Sequence, residues 1–360
     1  MKRPIAVLLL TLSALMLYSC LQAEKEQKLF EFEYNPPSLV WRTASSTGMD
    51  SAAIRSIAYN NARYIAVGEG KIAVSDNGRN WTENTAEKAK WNNGGDYVYF
   101  RSVVWGSGRF VAVGYWVNRP DNAGAIFVSD ANGENWNLYS APPLSVTLPG
   151  GQGTLSVDPK VYGVSYGSGR YVAVGERGWS AWSTNGSDWT PVWIAPFSDI
   201  NSQETNQDAL AIASDGIKFV VGGTEGKLAW SADGASWDWI ANDLLGEYND
   251  IFTIGYGGGK FIAAGFQGMM KTAGGGQIET DGASQWITAE SRFTTDINAV
   301  VWGNGCYLAV GNGGRMALSI DGSLWTVVSN SGWEVNDNIY CAVYGSRFAA
   351  GGDAKIIYSE

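Results

Sequence analysis

The sequence predicts an all-β fold: a β-propeller of seven four-stranded blades, its ring closed by an N-terminal strand that completes the last blade. Three observations predict it. The first is a sentence that recurs seven times, aromatic-Gly-x-Gly-Arg-Phe-Val-Ala-Val-Gly, a gap, then Ser-x-Asp-Gly-x-x-Trp. Complete copies run over Arg63–Trp81, Arg170–Trp189, Lys218–Trp237 and Cys306–Trp325; longer or worn copies run over Arg109–Trp136 and Lys260–Trp286. The second is that the copy starting at Arg347 stops at Glu360, before its Asp-Gly-x-x-Trp, while Leu39-Val40-Trp41-Arg42 offers the missing strand at the other end. A repeat split between the termini signifies a closed ring. The third is size: 360 residues with 46 glycines suit seven turn-rich blades of roughly 40–50 residues each.

Residues 1–19 read as a lipoprotein signal peptide. Lys2-Arg3 is basic, Ile5 to Tyr18 is mostly apolar but short for a membrane span, and Leu17-Tyr18-Ser19-Cys20 resembles a bacterial lipobox. That resemblance implies a lipid on the Cys20 thiol, and Leu21 after it points to the outer membrane of a bacterial envelope. Residues 20–37 (from Cys20 through LQAEKEQKLFEFEYNPP) read as the lipidated Cys and a charged tether, and 38–360 as the ring.

Within the ring, each blade is expected to open with a strand ending in aromatic-Gly: 54–59, 100–105, 161–166, 209–214, 251–256, 297–302 and 339–344. Small residues recur near its middle (Ser56, Ser102, Gly163, Ala211, Thr253, Ala299, Cys341), as crowding around the axis requires. Gly-x-Gly-Arg turns into the second strand, a Gly-rich turn leads to the third, and the motif Trp opens the fourth.

The turns SDNGRNW (75–81), STNGSDW (183–189), SADGASW (231–237) and SIDGSLW (319–325) resemble the Asp-box, or bacterial neuraminidase repeat. SDANGENW (129–136) is one residue longer, and TDGASQW (280–286) lacks the spacing. Asp and Asn side chains bond back to their own turn and Gly takes the positive φ, so these carboxylates are mechanical. The whole repeat is similar to bacterial propellers related to photosystem II assembly factors. The resemblance implies the fold and leaves activity open, since such propellers serve as hydrolases, glycan binders and scaffolds alike.

Composition excludes more than it selects. With no histidine in the chain, Ser-His-Asp and Cys-His nucleophile systems and His-ligated metal sites are absent. No cofactor and no metal are expected. Loss of residues 1–19 would remove Lys2 and Arg3 and move the formal charge from −10 to −12, which repels nucleic acid. Cys306 and Cys341 are expected as buried free thiols.

Subtracting the repeat leaves the candidate site. Trp91, Trp116, Trp179, Trp193 and Trp333 fall outside the motif columns and are expected on loops of one face, with Trp239 packing a blade. Trp116 and Arg119 belong to the insertion 115–122, expected beside Arg177 and Trp179. Nearer the axis, Arg55, Arg101, Tyr162, Asn298 and Tyr340 share one column, and Asp208, Asp250 and Asp296 start three successive first strands. Glu69, Lys71, Glu176, Glu225, Lys227, Arg315, Asp353 and Lys355 are expected in local turn ion pairs.

Three readings stay open. The leading one is a non-catalytic envelope lipoprotein, a monomer, whose face carrying Trp116, Arg119, Arg177, Trp179, Arg55, Arg101, Tyr162 and Tyr340 docks a protein. The second is a glycan-binding module or adhesin that stacks sugars on the same aromatics. The third is a sialidase-like hydrolase, for which Arg55 and Arg101 would begin the Arg cluster that the resemblance requires. Against it, the Arg-Ile-Pro motif near a sialidase start is missing, and such enzymes usually have six blades.

Overall fold

A computed structural model describes residues 37–119, 123–147, 154–197, 207–241, 244–246, 249–276, 278 and 285–360. The expected signal peptide (1–19), Cys20, the tether to residue 36 and most of the degenerate turn 280–286 lie outside them. Leu39–Glu360 form one compact unit.

That unit is the expected ring. Among the described residues, seven antiparallel four-stranded sheets follow one another, and a two-stranded hairpin (Leu144–Thr147 with Thr154–Val157) is inserted after the second. The first strands are Ile54–Tyr59, Tyr97–Gly106, Val161–Gly167, Ala209–Ser214, Ile251–Gly257, Ile297–Gly303 and Ile339–Tyr344. The ring closes as the split repeat predicts: Trp41–Thr43 pairs antiparallel with Ile356–Ser359, with Trp41 opposite Ser359. Cys306 and Cys341 are free and buried; burial pushes their thiols up to about 11 and about 12, so both stay protonated at neutral pH.

Aromatic-Gly is an inter-blade joint. In six of the seven blades the aromatic near the end of the first strand lies against the ring near the start of the second: Tyr59–Tyr64, Trp105–Phe110, Tyr166–Tyr171, Tyr256–Phe261, Trp302–Tyr307 and Tyr344–Phe348 sit 4.3–4.9 Å apart, while blade 4 has Ser214 at that place. The following glycine leaves room for the next blade's aromatic. A Cβ on Gly106, Gly257 or Gly303 would overlap Tyr166, Trp302 or Tyr344.

The turn cation is a second joint, reaching from each of blades 1 to 5 to a carbonyl of the next blade's third-to-fourth-strand turn. Arg63 Nη1 donates to Asn132 O at 3.1 Å, Arg109 to Asn185 O at 3.1 Å and Arg170 to Asp233 O at 2.9 Å. Lys218 reaches Gly275 O at 2.9 Å and Lys260 reaches Asp321 O at 2.7 Å. The series stops at blade 6, where Cys306 stands in place of the cation. The blade after it closes with Trp41–Thr43 and has no such turn to receive one.

The Ser-x-Asp-Gly turns are closed systems. In blade 4, Ser231 Oγ accepts Gly234 N–H at 2.8 Å, and Asp233 Oδ1 accepts Ala235 and Ser236 N–H at 2.8 and 3.0 Å. Asn185 performs the same two bonds uncharged in blade 3, at 2.8 and 2.9 Å. Burial pushes the carboxyls of Asp233 and Asp321 up, but these backbone donors outweigh it and hold both below the ordinary range. The indole of Trp325 donates back to Gly322 O at 3.2 Å, whereas Trp237 Nε1 has no partner among the described residues.

Candidate functional site: the axial mouth

Every first strand carries one register irregularity, at its second residue in six blades (between Ile54 and Ser56 in blade 1) and at Arg101, between Phe100 and Ser102, in the longer first strand of blade 2. A bulge leaves one residue unpaired and re-aims its side chain. Here it turns one residue per blade towards the axis: Arg55, Arg101, Tyr162, Leu210, Phe252, Asn298 and Tyr340 all line the central channel. Beneath them the small-residue ring forms a neck of about 240 Å³. Small size is only part of its role, since Ser56 Oγ accepts Val103 N–H at 3.1 Å and Ser102 Oγ accepts Val164 N–H at 3.3 Å, tying inner strands together. Above them the channel widens to about 480 Å³, and the wall gains Asp208, Asp250, Asp296, Thr224 and Asn312.

The axial ring is polarised. Blades 7, 1, 2 and 3 contribute cations and phenols. Arg55 sits 3.9 Å from the Tyr340 ring and 5.1 Å from Tyr99, and its Nη2 pairs with Glu69 Oε1 at 2.8 Å. Burial pulls the Arg55 guanidinium down, yet Glu69 and the two tyrosines raise it overall. Tyr99 stacks on Tyr115 at 5.4 Å, Tyr115 meets Tyr162 edge-on at 6.3 Å, and Lys160 Nζ lies 5.4 Å above Tyr115. Arg101 lies 5.8 Å from the Tyr162 ring and has no ion pair or hydrogen bond among the described residues.

Blades 4, 5 and 6 contribute carboxylates and apolar side chains. Asp208, Asp250 and Asp296 each clamp the preceding blade: Oδ1 accepts the N–H of Arg177, Glu225 or Gln267 at 2.9, 3.0 and 2.9 Å. Those three turn residues hold φ of 56°, 58° and 49°, the left-handed region where a fixed N–H acceptor stabilises a non-glycine residue. The expected backbone role of these acids is therefore observed, as a bond between blades. Burial first, then Glu176, raises the Asp208 carboxyl, while burial and neighbouring Asp208 raise Tyr162.

Several expectations need correction. Trp116 (4% exposed) and Trp179 (0%) lie in strands Arg109–Val117 and Trp179–Ser183, buried, and form no exposed aromatic platform. Trp91 is buried too, edge-on to Phe100 and Phe127 at 6.4 and 6.0 Å. The long 85–96 connection needs an anchor, and burying so large a ring supplies it. Trp179 donates Nε1–H to Pro142 O at 3.0 Å, seating blade 3 on the connection ahead of it. Trp193 and Trp333 are half-buried. Trp239, expected to pack a blade, is 39% exposed on its outermost strand. Glu69 pairs with Arg55 in the channel, not with its turn neighbour Lys71, whereas Lys227 and Glu225 do pair locally at 3.2 Å. Arg119 stacks on Trp116 and pairs with Asp96 at 3.5 Å. The structure thus brings Arg55, Arg101, Tyr162 and Tyr340 together at the axis and leaves Trp116, Arg119, Arg177 and Trp179 in the surrounding blades 2 and 3.

No family model and no curated protein matches the chain. Solved structures do. YCF48 from Cyanidioschyzon merolae is 17% identical with a TM-score of 0.63, covering 89% of this chain and 98% of that one. A structure of YCF48 bound to a D1 peptide is 14% identical with a TM-score of 0.58, covering 91% and 96%. A streptogramin B lyase is 10% identical with a TM-score of 0.65, covering 89% and 97%. At such identities the likeness is one of fold.

Proposed function

We propose that this chain is a non-catalytic, lipid-anchored envelope protein whose axial-mouth face docks another protein. The observation that carries the reading is the contrast within one repeat. The Ser-x-Asp-Gly turns keep their residues and satisfy one another, while the bulged axial position differs in nearly every blade and gathers Arg, Tyr, Leu, Phe and Asn around one opening. Clustered arginine and tyrosine are the residue types that dominate protein hot spots. That a similarly folded propeller, YCF48, has been solved with a peptide from another protein supports the reading by analogy. The anchor rests on Lys2-Arg3, the apolar run and Leu17-Tyr18-Ser19-Cys20, and the resemblance to Asp-box repeats on the turn sequences.

Two rivals lose support. Sugar stacking needs open aromatic faces, and Trp91, Trp116 and Trp179 are buried. A sialidase-like Arg cluster needs free guanidiniums, and Arg55 is committed to Glu69 and two rings.

The test is co-purification from the native membrane using Arg177→Glu with Arg119→Glu, both at partly exposed positions of the docking face. The reading predicts loss of one specific envelope protein with unchanged thermal midpoint. An identical set of recovered proteins would overturn it.

A further inference from the structure

Two charges in the axial mouth have bonding capacity to spare. Among the basic groups lining the cavity, Arg55 is paired with Glu69 and sandwiched by rings, whereas Arg101 has no hydrogen bond or ion pair among the described residues. Among the acids, Asp208 lies against Tyr162 and Arg177 N–H, and Asp296 uses both oxygens, on Gln267 N–H and on Asn312 Nδ2 at 3.1 Å. Asp250 uses Oδ1 alone, and its Oδ2 has no partner among the described residues. Arg101 belongs to blade 2 and Asp250 to blade 5, so they face each other from well-separated walls of one cavity, with Leu210 and Phe252 on the wall beside Asp250.

A lone anion on Arg101 would be opposed by three carboxylates and by a chain of net charge −10, and a lone cation on Asp250 would face two guanidiniums. A ligand carrying both charges satisfies both walls and enters without net charge. We propose that the axial mouth binds a dipolar, peptide-like ligand, its carboxylate on Arg101, its ammonium on Asp250 and its apolar middle against Leu210 and Phe252. This goes beyond protein docking and stands even if the outer face docks nothing. The two charges come either from the ends of a free short peptide or from opposite side chains on a longer one; the chemistry is the same.

Titration calorimetry on the purified ring distinguishes these, using tetra-alanine with free ends, its C-terminal amide, its N-acetyl form, and end-blocked Lys-Ala-Ala-Glu. Free tetra-alanine is expected to bind and each blocked form to bind about tenfold more weakly, the cost of one charge-assisted bond. Arg101→Met should erase the difference between acid and amide; Asp250→Asn, which keeps the acceptor for Glu225 N–H, should erase that between amine and N-acetyl. Binding of end-blocked Lys-Ala-Ala-Glu alone assigns the site to side chains of a longer partner. No heat with any of the four on folded protein, or binding of the amide and N-acetyl forms as tight as that of free tetra-alanine, overturns the proposal. A silent calorimeter beside an intact co-purified partner would remove this site and leave docking standing.

Discussion

The two faces of the ring begin from the same repeat and end differently. On the face of the Ser-x-Asp-Gly turns, the cations of blades 1 to 5 reach the next blade's turn, Asp or Asn closes its own loop, and Gly106, Gly257 and Gly303 make room for a neighbour's ring. On the axial-mouth face, the bulge presents one side chain per blade to the channel, and the sequence varies there blade by blade. Where polar groups satisfy one another, substitution costs stability. Where Arg101 and one oxygen of Asp250 remain unpaired among the described residues, substitution should cost binding instead.

The strongest way to sharpen this contrast is to ask whether the unusual tryptophans belong to the framework. Trp179→Ala should cost about 4 kcal/mol in denaturant unfolding, since it empties a fully buried indole site. Loss of partner recovery in that variant would then report unfolding and not a lost contact. Next in size, Gly303→Ala pushes a Cβ into Tyr344 and should cost about 3 kcal/mol. Gly95→Ala, at an open site of ordinary φ, should leave the midpoint unmoved.

Smaller still, Asp233→Ala orphans two backbone donors and should cost about 1 kcal/mol. Acid behaviour checks the same turns. Folded Asp233 and Asp321 lie below the ordinary 3.8, so their stabilisation is complete above 3.8 and lost as pH falls through the lower folded values. Asp208 opposes them, because its raised carboxyl is penalised while ionised and relieved on protonation. Asp233→Asn, the side chain already used at position 185, should therefore flatten the acid limb of the stability curve and change little at pH 7. Least of all, Arg101→Met should shift stability by under about 0.5 kcal/mol, as expected away from cores and networks.

Most of the framework was legible because seven copies can be compared with one another. Strand starts, the split last blade, the axial column of Arg55, Arg101, Tyr162, Asn298 and Tyr340, and the mechanical turns all follow from alignment of the repeat. Subtraction failed for the tryptophans. A residue that departs from the pattern is as readily a plug for an insertion as a contact for a partner, and Trp91 and Trp116 fill the core that the longer blade 2 creates. Sequence also hides pairing between the strands of one blade: the turn pattern points Glu69 at Lys71, whereas it pairs with Arg55 of the same blade's first strand. One signal was present and unused. The turn cation is missing in blade 6, ahead of the blade closed by both termini, and that coincidence marks the cation as an inter-blade bond.

The central claim is that the two faces divide mechanics from recognition. Photo-crosslinking in living cells from position 177 beside the mouth and from position 232, in a turn of the opposite face, compares them directly. The account predicts one discrete protein adduct from 177 and none from 232. An adduct from 232 alone, or the same adducts from both, would contradict it.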